Sequence, residues 1–231
     1  MNYLITPPSL HYDGGLGITA CNFSHAADAL QEANNALIDV LPVCYLQRHS
    51  IELFLKSFIV ILHKKYNIAY GNGFSLEKPA IKIQSKWVSL TSTHNLFDLF
   101  NYFREIFESL SDRLPSRTDW TIPADIEDKI KLISGSDPKS TYFRYPESTT
   151  PAQDAIKSGI QAEDVSTIFA KIGESNERVK CALLIDDNYN IIEAYNLKSS
   201  PIPKILSALD YLADYFYNLH AAFRFEITQG Q

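Results

Sequence analysis

The stretch that decides the fold is LPVCYLQRHSIELFLKSFIVILHKKY, residues 41–66. It is apolar around most of its circumference, as is typical of a helix buried on nearly all sides. Six of its titratable residues share roughly a third of the circumference at about 100° per residue. They are Tyr45, Arg48, His49, Glu52, Lys56 and His63. The pattern predicts a buried helix with one polar stripe.

Three members of the stripe are charged residues of alternating sign. Arg48 and Glu52, and then Glu52 and Lys56, are four residues apart, which places opposite charges one helical turn apart. Charges on a buried helix are costly unless they are paired or used. Two interpretations stand open: a pocket that holds phosphate or positions a proton donor, or an ion-pair ladder that only fixes helix packing.

Hydrophobic spacing over the rest of the chain predicts a mainly α fold. The expected helices are 24–40, 41–66, 93–110 and a last one from after Pro203 to about Phe223, with shorter ones at 125–133 and 164–172. Ser24 is the expected N-cap of the first helix. Small hairpins are expected near 80–90 and 180–196, and 135–150 is expected to be a loop. The sum is a bundle of about four principal helices with hairpin insertions.

Composition and length favour one globular domain. Of 231 residues, 45% are hydrophobic and 21% charged, as in an ordinary globular protein. We expect an irregular N-terminal arm over 1–23, which contains Pro7 and Pro8, and a single helical domain over 24–231. Three widely spaced cysteines fit a reducing cytoplasm, with Cys44 as a buried free thiol.

Several classes of function are excluded by charge and by missing motifs. The formal net charge of −6 argues against a broad basic surface for nucleic acid, although a local basic pocket stays possible. The N-terminus shows no signal peptide, and the longest apolar run, Ser57–Leu62, is too short to span a membrane. The sequence has no nucleotide-binding glycine motif, no HExxH and no nucleophile elbow. Its six histidines are scattered, so we expect neither a metal nor a cofactor.

His94 is a second candidate for a functional residue, because it lies at the start of the predicted third helix. The helix dipole disfavours a charged histidine at an N-terminus, so His94 suits a neutral base near pH 7. The alternative is a histidine that only caps or packs the helix.

The segment 142–146, YFRYP, is a third candidate. Arg144 stands between aromatic residues, whose stacking could hold its guanidinium rigid and present it to a phosphate. Equally, Arg144 could only seal the loop, with Asp137 or Glu147 as its partner. His220 and Arg224, an i,i+4 pair late in the last helix, fit a purely structural role there.

Residues 46–56 (LQRHSIELFLK), 94–99 (HNLFDL) and 143–146 (FRYP) resemble the HEPN superfamily of small α-helical proteins that bind nucleotides or RNA. The resemblance implies an HEPN-like helical bundle. Many members are metal-independent ribonucleases in bacterial toxin–antitoxin or anti-phage systems. Their usual Arg, followed by His four to six residues later, is absent here, since Arg48 and His49 are adjacent. That catalytic pair therefore cannot be carried over.

The resemblance nevertheless places a site on the striped helix, and we expect its side chains to converge on one pocket. The candidate catalytic residues are His94, His49, Arg144 and Arg48, and the candidate substrate-binding residues are Lys56, Glu52 and Tyr145. The expected partners are RNA or a nucleotide, an antitoxin or defence-system protein, and a second copy in a homodimer. The rival expectation is a non-catalytic binding or assembly module whose charged stripe is structural.

Overall fold

The computed structural model describes residues 6–33, 40–71, 73–145, 154, 157, 160–174, 180–197 and 201–230. Its helices are α1 Leu16–Glu32, α2 Val40–Tyr66, α3 Leu96–Ser109, α4 Ile126–Ser136, α5 Val165–Glu174 and α6 Ile202–Ala222. Its strands are β1 Ala80–Ile83, β2 Lys86–Ser89, β3 Ile160–Ala162, β4 Cys181–Ile185 and β5 Ile191–Leu197. The described chain is therefore mainly α, as the hydrophobic spacing predicts, with two small antiparallel sheets, of which the second contains the unpredicted strand β3.

The chain forms two compact units. One comprises Met1–Arg144 with Ile205–Gln231, and the other comprises Tyr145–Lys204. The first unit holds α1 to α4, nearly all of α6 and the β1–β2 hairpin, whereas the second holds α5 and the β3–β5–β4 sheet. The single domain expected over 24–231 stays a prediction, and the hairpin at 180–196 lies in the second unit.

The prediction for the first helix was wrong at both ends. α1 begins at Leu16, so residues 16–23 of the expected irregular arm are helical, and Ser24 is a buried residue inside the helix. Its N-cap is Gly15 with φ of 88°, a left-handed conformation that glycine adopts without steric cost. α1 ends at Glu32, while Val40 already belongs to α2. Residues 34–39 lie outside the described residues.

The prediction for the striped helix is confirmed over nearly its whole length. α2 is the longest helix described, and its apolar side chains form the centre of the first unit. Phe58 is fully buried, and its ring packs within 6.3 Å of the rings of Phe54, Phe103, Phe216 and Phe223. Cys44 is a buried free thiol, as expected. Burial on all sides explains why this helix is apolar around most of its circumference.

The remaining elements differ from expectation mainly at their ends. α3 begins at Leu96 instead of Thr93, because the Asn95 side chain accepts hydrogen bonds from the Phe97 and Asp98 amides and so caps the helix. α4 continues to Ser136 and includes Gly135, so the predicted loop over 135–150 begins later than expected. The predicted hairpins are confirmed as the antiparallel pairs β1–β2 and β4–β5.

Candidate functional site

The charged residues of α2 form a buried cluster in the first unit. Glu52 is 1% exposed, and its two carboxylate oxygens accept from Arg48 Nη1 and Lys56 Nζ, each at 2.8 Å. Arg48 is 0% and Lys56 5% exposed. Both i,i+4 ion pairs that the sequence predicts are therefore formed, and Glu52 links the two cations.

Asp137 completes the cluster from the C-terminal end of α4. Its Oδ2 atom lies 2.8 Å from Nε of Arg48. Its Oδ1 atom accepts from the amides of Thr141 and Tyr142 at 2.7 and 3.0 Å. Sequence analysis considered Asp137 only as a partner of Arg144, but the structure pairs it with Arg48. Asp137 thereby ties the segment that follows α4 to the middle of α2.

His94 brings a titratable ring to the same cluster. Its Nδ1 atom lies 2.9 Å from Oε1 of Glu52, and because a carboxylate only accepts, Nδ1–H is the donor. Its carbonyl accepts from Nη2 of Arg48 at 2.6 Å. The His94 side chain is 49% exposed. The residue is thus held by the buried cluster at two points, while half of its ring faces solvent.

The electrostatics of the cluster are balanced. Burial alone would raise the pKa of Glu52, but the charge and hydrogen bond of Lys56, the charge of Arg48 and the hydrogen bond from His94 outweigh it. The pKa of this carboxyl is therefore lowered and Glu52 is an anion. Two cations, Arg48 and Lys56, meet two carboxylates, Glu52 and Asp137, so the four charges compensate one another.

His49 lies on the same face of α2 but makes ring contacts. Its ring stacks on Tyr45 with centroids 6.0 Å apart and meets the edge of Phe23 at 4.6 Å. Burial lowers the pKa of His49, and the charges of Lys56, Arg48 and Arg144 add to this effect against that of Glu52. The imidazole is therefore neutral at pH 7.

Arg144 contacts this face of α2, because its guanidinium lies over the ring of Tyr45. The guanidinium carbon lies 5.3 Å from the centroid of the Tyr45 ring, and the preceding residues Tyr142 and Phe143 are buried. Arg144 itself is exposed. The structure therefore brings Arg144 to the His49 side of the striped helix, near the ring on which His49 stacks.

Tyr145 is the one predicted site residue that belongs to the second unit. Its side chain is 50% exposed, and its carbonyl accepts from Lys157 Nζ at 2.7 Å. Glu147, the other suggested partner of Arg144, lies outside the described residues.

A second polar cluster of the first unit escaped sequence analysis. The Asp13 carboxylate accepts from the amides of Gly15 and Gly17 at 3.0 and 2.7 Å and from the Ser57 hydroxyl at 2.5 Å. A Cβ on Gly17 would lie 2.0 Å from Nε2 of His220 and 2.8 Å from Oδ2 of Asp13, so both groups crowd around this glycine. The glycines after Asp13 were the available signal, but they were assigned to an irregular arm.

His220, near the end of α6, is buried in this second cluster. It is 2% exposed, and its Nδ1 atom lies 3.9 Å from Sγ of Cys21. Burial lowers the pKa of His220 to about 4, with further lowering by the charge of Arg224 against the effect of Asp13. Burial also raises the pKa of the Cys21 thiol to about 11, so the thiol stays protonated near neutral pH.

No family model, no curated protein and no solved structure matches this chain. Among the residues that the structure describes, no group of three or more His, Cys, Asp or Glu side chains is placed to hold a metal ion. No helix in the described ranges is both long and apolar enough to cross a membrane.

Proposed function

We propose that this protein is an HEPN-like helical protein that acts on RNA or a nucleotide, as a metal-independent endoribonuclease of a bacterial toxin or anti-phage system. The proposal rests on the pair formed by Glu52 and His94. A buried carboxylate that orients a half-exposed imidazole is the arrangement by which proteins position a general acid or base. The four longest described helices, α1, α2, α3 and α6, are consistent with an HEPN-like bundle.

The chemistry that fits this pair is transfer within the RNA chain. The 2′-oxygen forms a bond to the adjacent phosphorus while the bond from phosphorus to the 5′-oxygen breaks, which leaves a 2′,3′-cyclic phosphate. The exposed side of His94 accepts the proton of the 2′-hydroxyl, and the Glu52 carboxylate compensates the charge that the ring gains. A proton from the acid form of a second group or from water then completes the 5′-hydroxyl.

The basic residues divide into two roles. Arg48 is fully enclosed and bound to Glu52, Asp137 and the His94 carbonyl, so it positions the pair. Arg144 is an exposed cation near Tyr45 of α2, and its guanidinium suits a phosphate oxygen whose negative charge increases in the transition state. Neutral His49, between Tyr45 and Phe23, is the alternative base.

The test is incubation of the purified protein with total bacterial RNA in excess EDTA. We expect discrete products that end in 2′,3′-cyclic phosphate, and a loss of about 10²- to 10⁴-fold in rate for His94→Gln. His25→Gln is the matched control, because His25 is an exposed histidine on α1 outside the cluster. Cleavage that is indifferent to both His94→Gln and Arg144→Ala would contradict the proposal, as would intact RNA with the wild-type protein.

A second function, a non-catalytic binding or assembly module, is favoured by the balanced charges of Arg48, Glu52, Lys56 and Asp137. Ion pairs that are enclosed and self-satisfied fix packing without any ligand. In that case RNA stays intact in every lane. Replacing the whole cluster by apolar residues of similar volume then preserves both the fold and partner binding.

A further inference from the structure

The sheet of the second unit leaves one apolar strand exposed. All five residues of β4, CALLI, are exposed, with Leu184 at 52% and Ile185 at 49%. The strand order is β3–β5–β4, so β4 is an edge strand, and within the described ranges no strand pairs with its outer side. Edge strands of proteins that stay monomeric are usually protected by charge, proline or a covering segment. β4 contains neither proline nor charge.

The backbone of β4 presents its outer hydrogen-bonding groups from odd-numbered residues. The Lys180 carbonyl accepts from the Leu197 amide at 2.8 Å, and the Asp186 amide donates to the Asn190 carbonyl at 2.9 Å. Both ends therefore direct even-numbered residues toward β5. Since hydrogen-bonding direction alternates along a strand, Cys181, Leu183 and Ile185 direct their amides and carbonyls outward.

β4 keeps this alternation over its full length. The irregularity of the sheet lies in β5, because Leu184 pairs with Glu193 and Ile185 with Ile191, which skips Ile192. A regular strand with a continuous row of outward donors and acceptors is a template for another strand.

We propose that this edge binds the same edge of a second copy of the chain, antiparallel, with the two-fold axis at Leu183. Such an interface is isologous, since one patch contacts itself. Leu183 then faces Leu183, Cys181 faces Ile185 and Ala182 faces Leu184 across the axis. Every outward amide and carbonyl finds a partner, which gives about six new backbone hydrogen bonds and one continuous six-stranded sheet.

Charge complementarity argues for a second copy as the occupant. In this register Lys180 of each copy lies opposite Asp186 of the other, so an ion pair closes both ends of the joined strands. Hydrogen bonds from the Asn190 side chain, the Asn190 amide and the Asn188 amide lower the pKa of Asp186, so its carboxylate is charged. A register centred on Ala182 also pairs the outward groups, but it places Lys180 opposite Leu184. A register centred on Leu184 places Asp186 opposite Ala182. Neither register brings Lys180 opposite Asp186.

The interface is small, because only five residues of each strand meet. Interfaces of this size bury less than the roughly 1,200 Å² of a stable complex, so the dimer is weak and depends on concentration. This inference rests on the second unit alone and does not depend on the activity proposed for the first.

Sedimentation velocity of the full chain over a concentration series tests the proposal. We expect the wild type to move from the 26.1 kDa of one chain toward twice that mass as concentration rises. Leu183→Lys places two like charges at the axis, and Lys180→Glu sets each Glu against Asp186, so each variant weakens association by at least about tenfold. Asp186 is left unchanged because it holds the β4–β5 turn.

Ile192→Lys is the matched control, since Ile192 is 60% exposed on the central strand and away from the edge. It is expected to dimerise as the wild type does, and circular dichroism checks that all variants fold. A wild type that stays monomeric at every concentration overturns the proposal. So does a Leu183→Lys protein that dimerises normally. Association that Ile192→Lys abolishes and Lys180→Glu leaves unchanged points to contact through the sheet face and equally overturns it.

Discussion

Two clusters of histidine and carboxylate lie along α2, and they differ in their access to solvent. In the first, Glu52 accepts from a His94 ring that is 49% exposed. In the second, Asp13 accepts from Ser57 beside His220, which is 2% exposed. Both clusters contain the residue types of acid–base catalysis, and each touches the same helix.

The difference shows that solvent exposure, more than residue type, distinguishes a candidate functional site from a polar cluster that only stabilises helix packing. The Asp13 carboxylate oxygens accept hydrogen bonds from the Gly15 and Gly17 amides and from the Ser57 hydroxyl. These bonds hold the start of α1 against α2. No substrate atom can reach the buried His220 without the core opening. His94 instead keeps one side of its ring in solvent, where a substrate can meet it.

The largest effect on stability is expected from Glu52→Leu. The change leaves Lys56 and Arg48 buried without the carboxylate that joins them, at a cost of about 3–5 kcal/mol in the free energy of unfolding. Urea denaturation measures it. If water is excluded from the first cluster, adding Arg48→Met, Lys56→Met and Asp137→Asn to Glu52→Leu recovers most of the lost free energy of unfolding. A cost below about 1 kcal/mol for Glu52→Leu would mean that water already screens the cluster.

An intermediate effect is expected from pH at the second cluster. The folded pKa of His220, about 4, is below its unfolded value of about 6.5, so the unfolded chain binds more protons between these values. Stability therefore falls as pH drops from about 6.5 to 4, by on the order of 3 kcal/mol from this group. Thermal unfolding at several pH values measures the slope.

His220→Phe is the matched variant for that slope, because the His220 ring already packs against the rings of Phe54 and Phe58. It should flatten the pH dependence, leaving the part contributed by His49 and His63, whose pKa values burial also lowers. An unchanged slope would show that His220 binds a proton as readily in the folded protein as in the unfolded chain.

The smallest effect on stability is expected from Arg144→Ala. Arg144 is exposed and lies over the Tyr45 ring, a contact worth about 0.5–1 kcal/mol at an exposed site. Under the proposed function the same variant slows RNA cleavage by at least about tenfold, since it removes the exposed cation. A large loss of stability with unchanged cleavage would reverse the assignment and make Arg144 structural.

Much of the fold follows from local patterns in the sequence. The period of α2 and the apolar face of α3 locate both helices, and short strand-forming runs beside turn residues locate both hairpins. The start of α1 is only partly local: the glycines after Asp13 are a sequence signal, but the hydrogen bond of Asp13 to Ser57 joins residues distant in sequence. The edge between α4 and the following loop likewise depends on the ion pair between Asp137 and Arg48.

The sequence by itself determined that α2 is buried and that Arg48, Glu52 and Lys56 share one stripe, because helical geometry fixes the positions of residues four apart. Only the tertiary structure decided that His94 closes onto Glu52, that Asp137 is the partner of Arg48 and that His220 is enclosed. Those contacts join residues far apart along the chain, and their distances and exposure follow from the packing of whole helices, which no local spacing encodes.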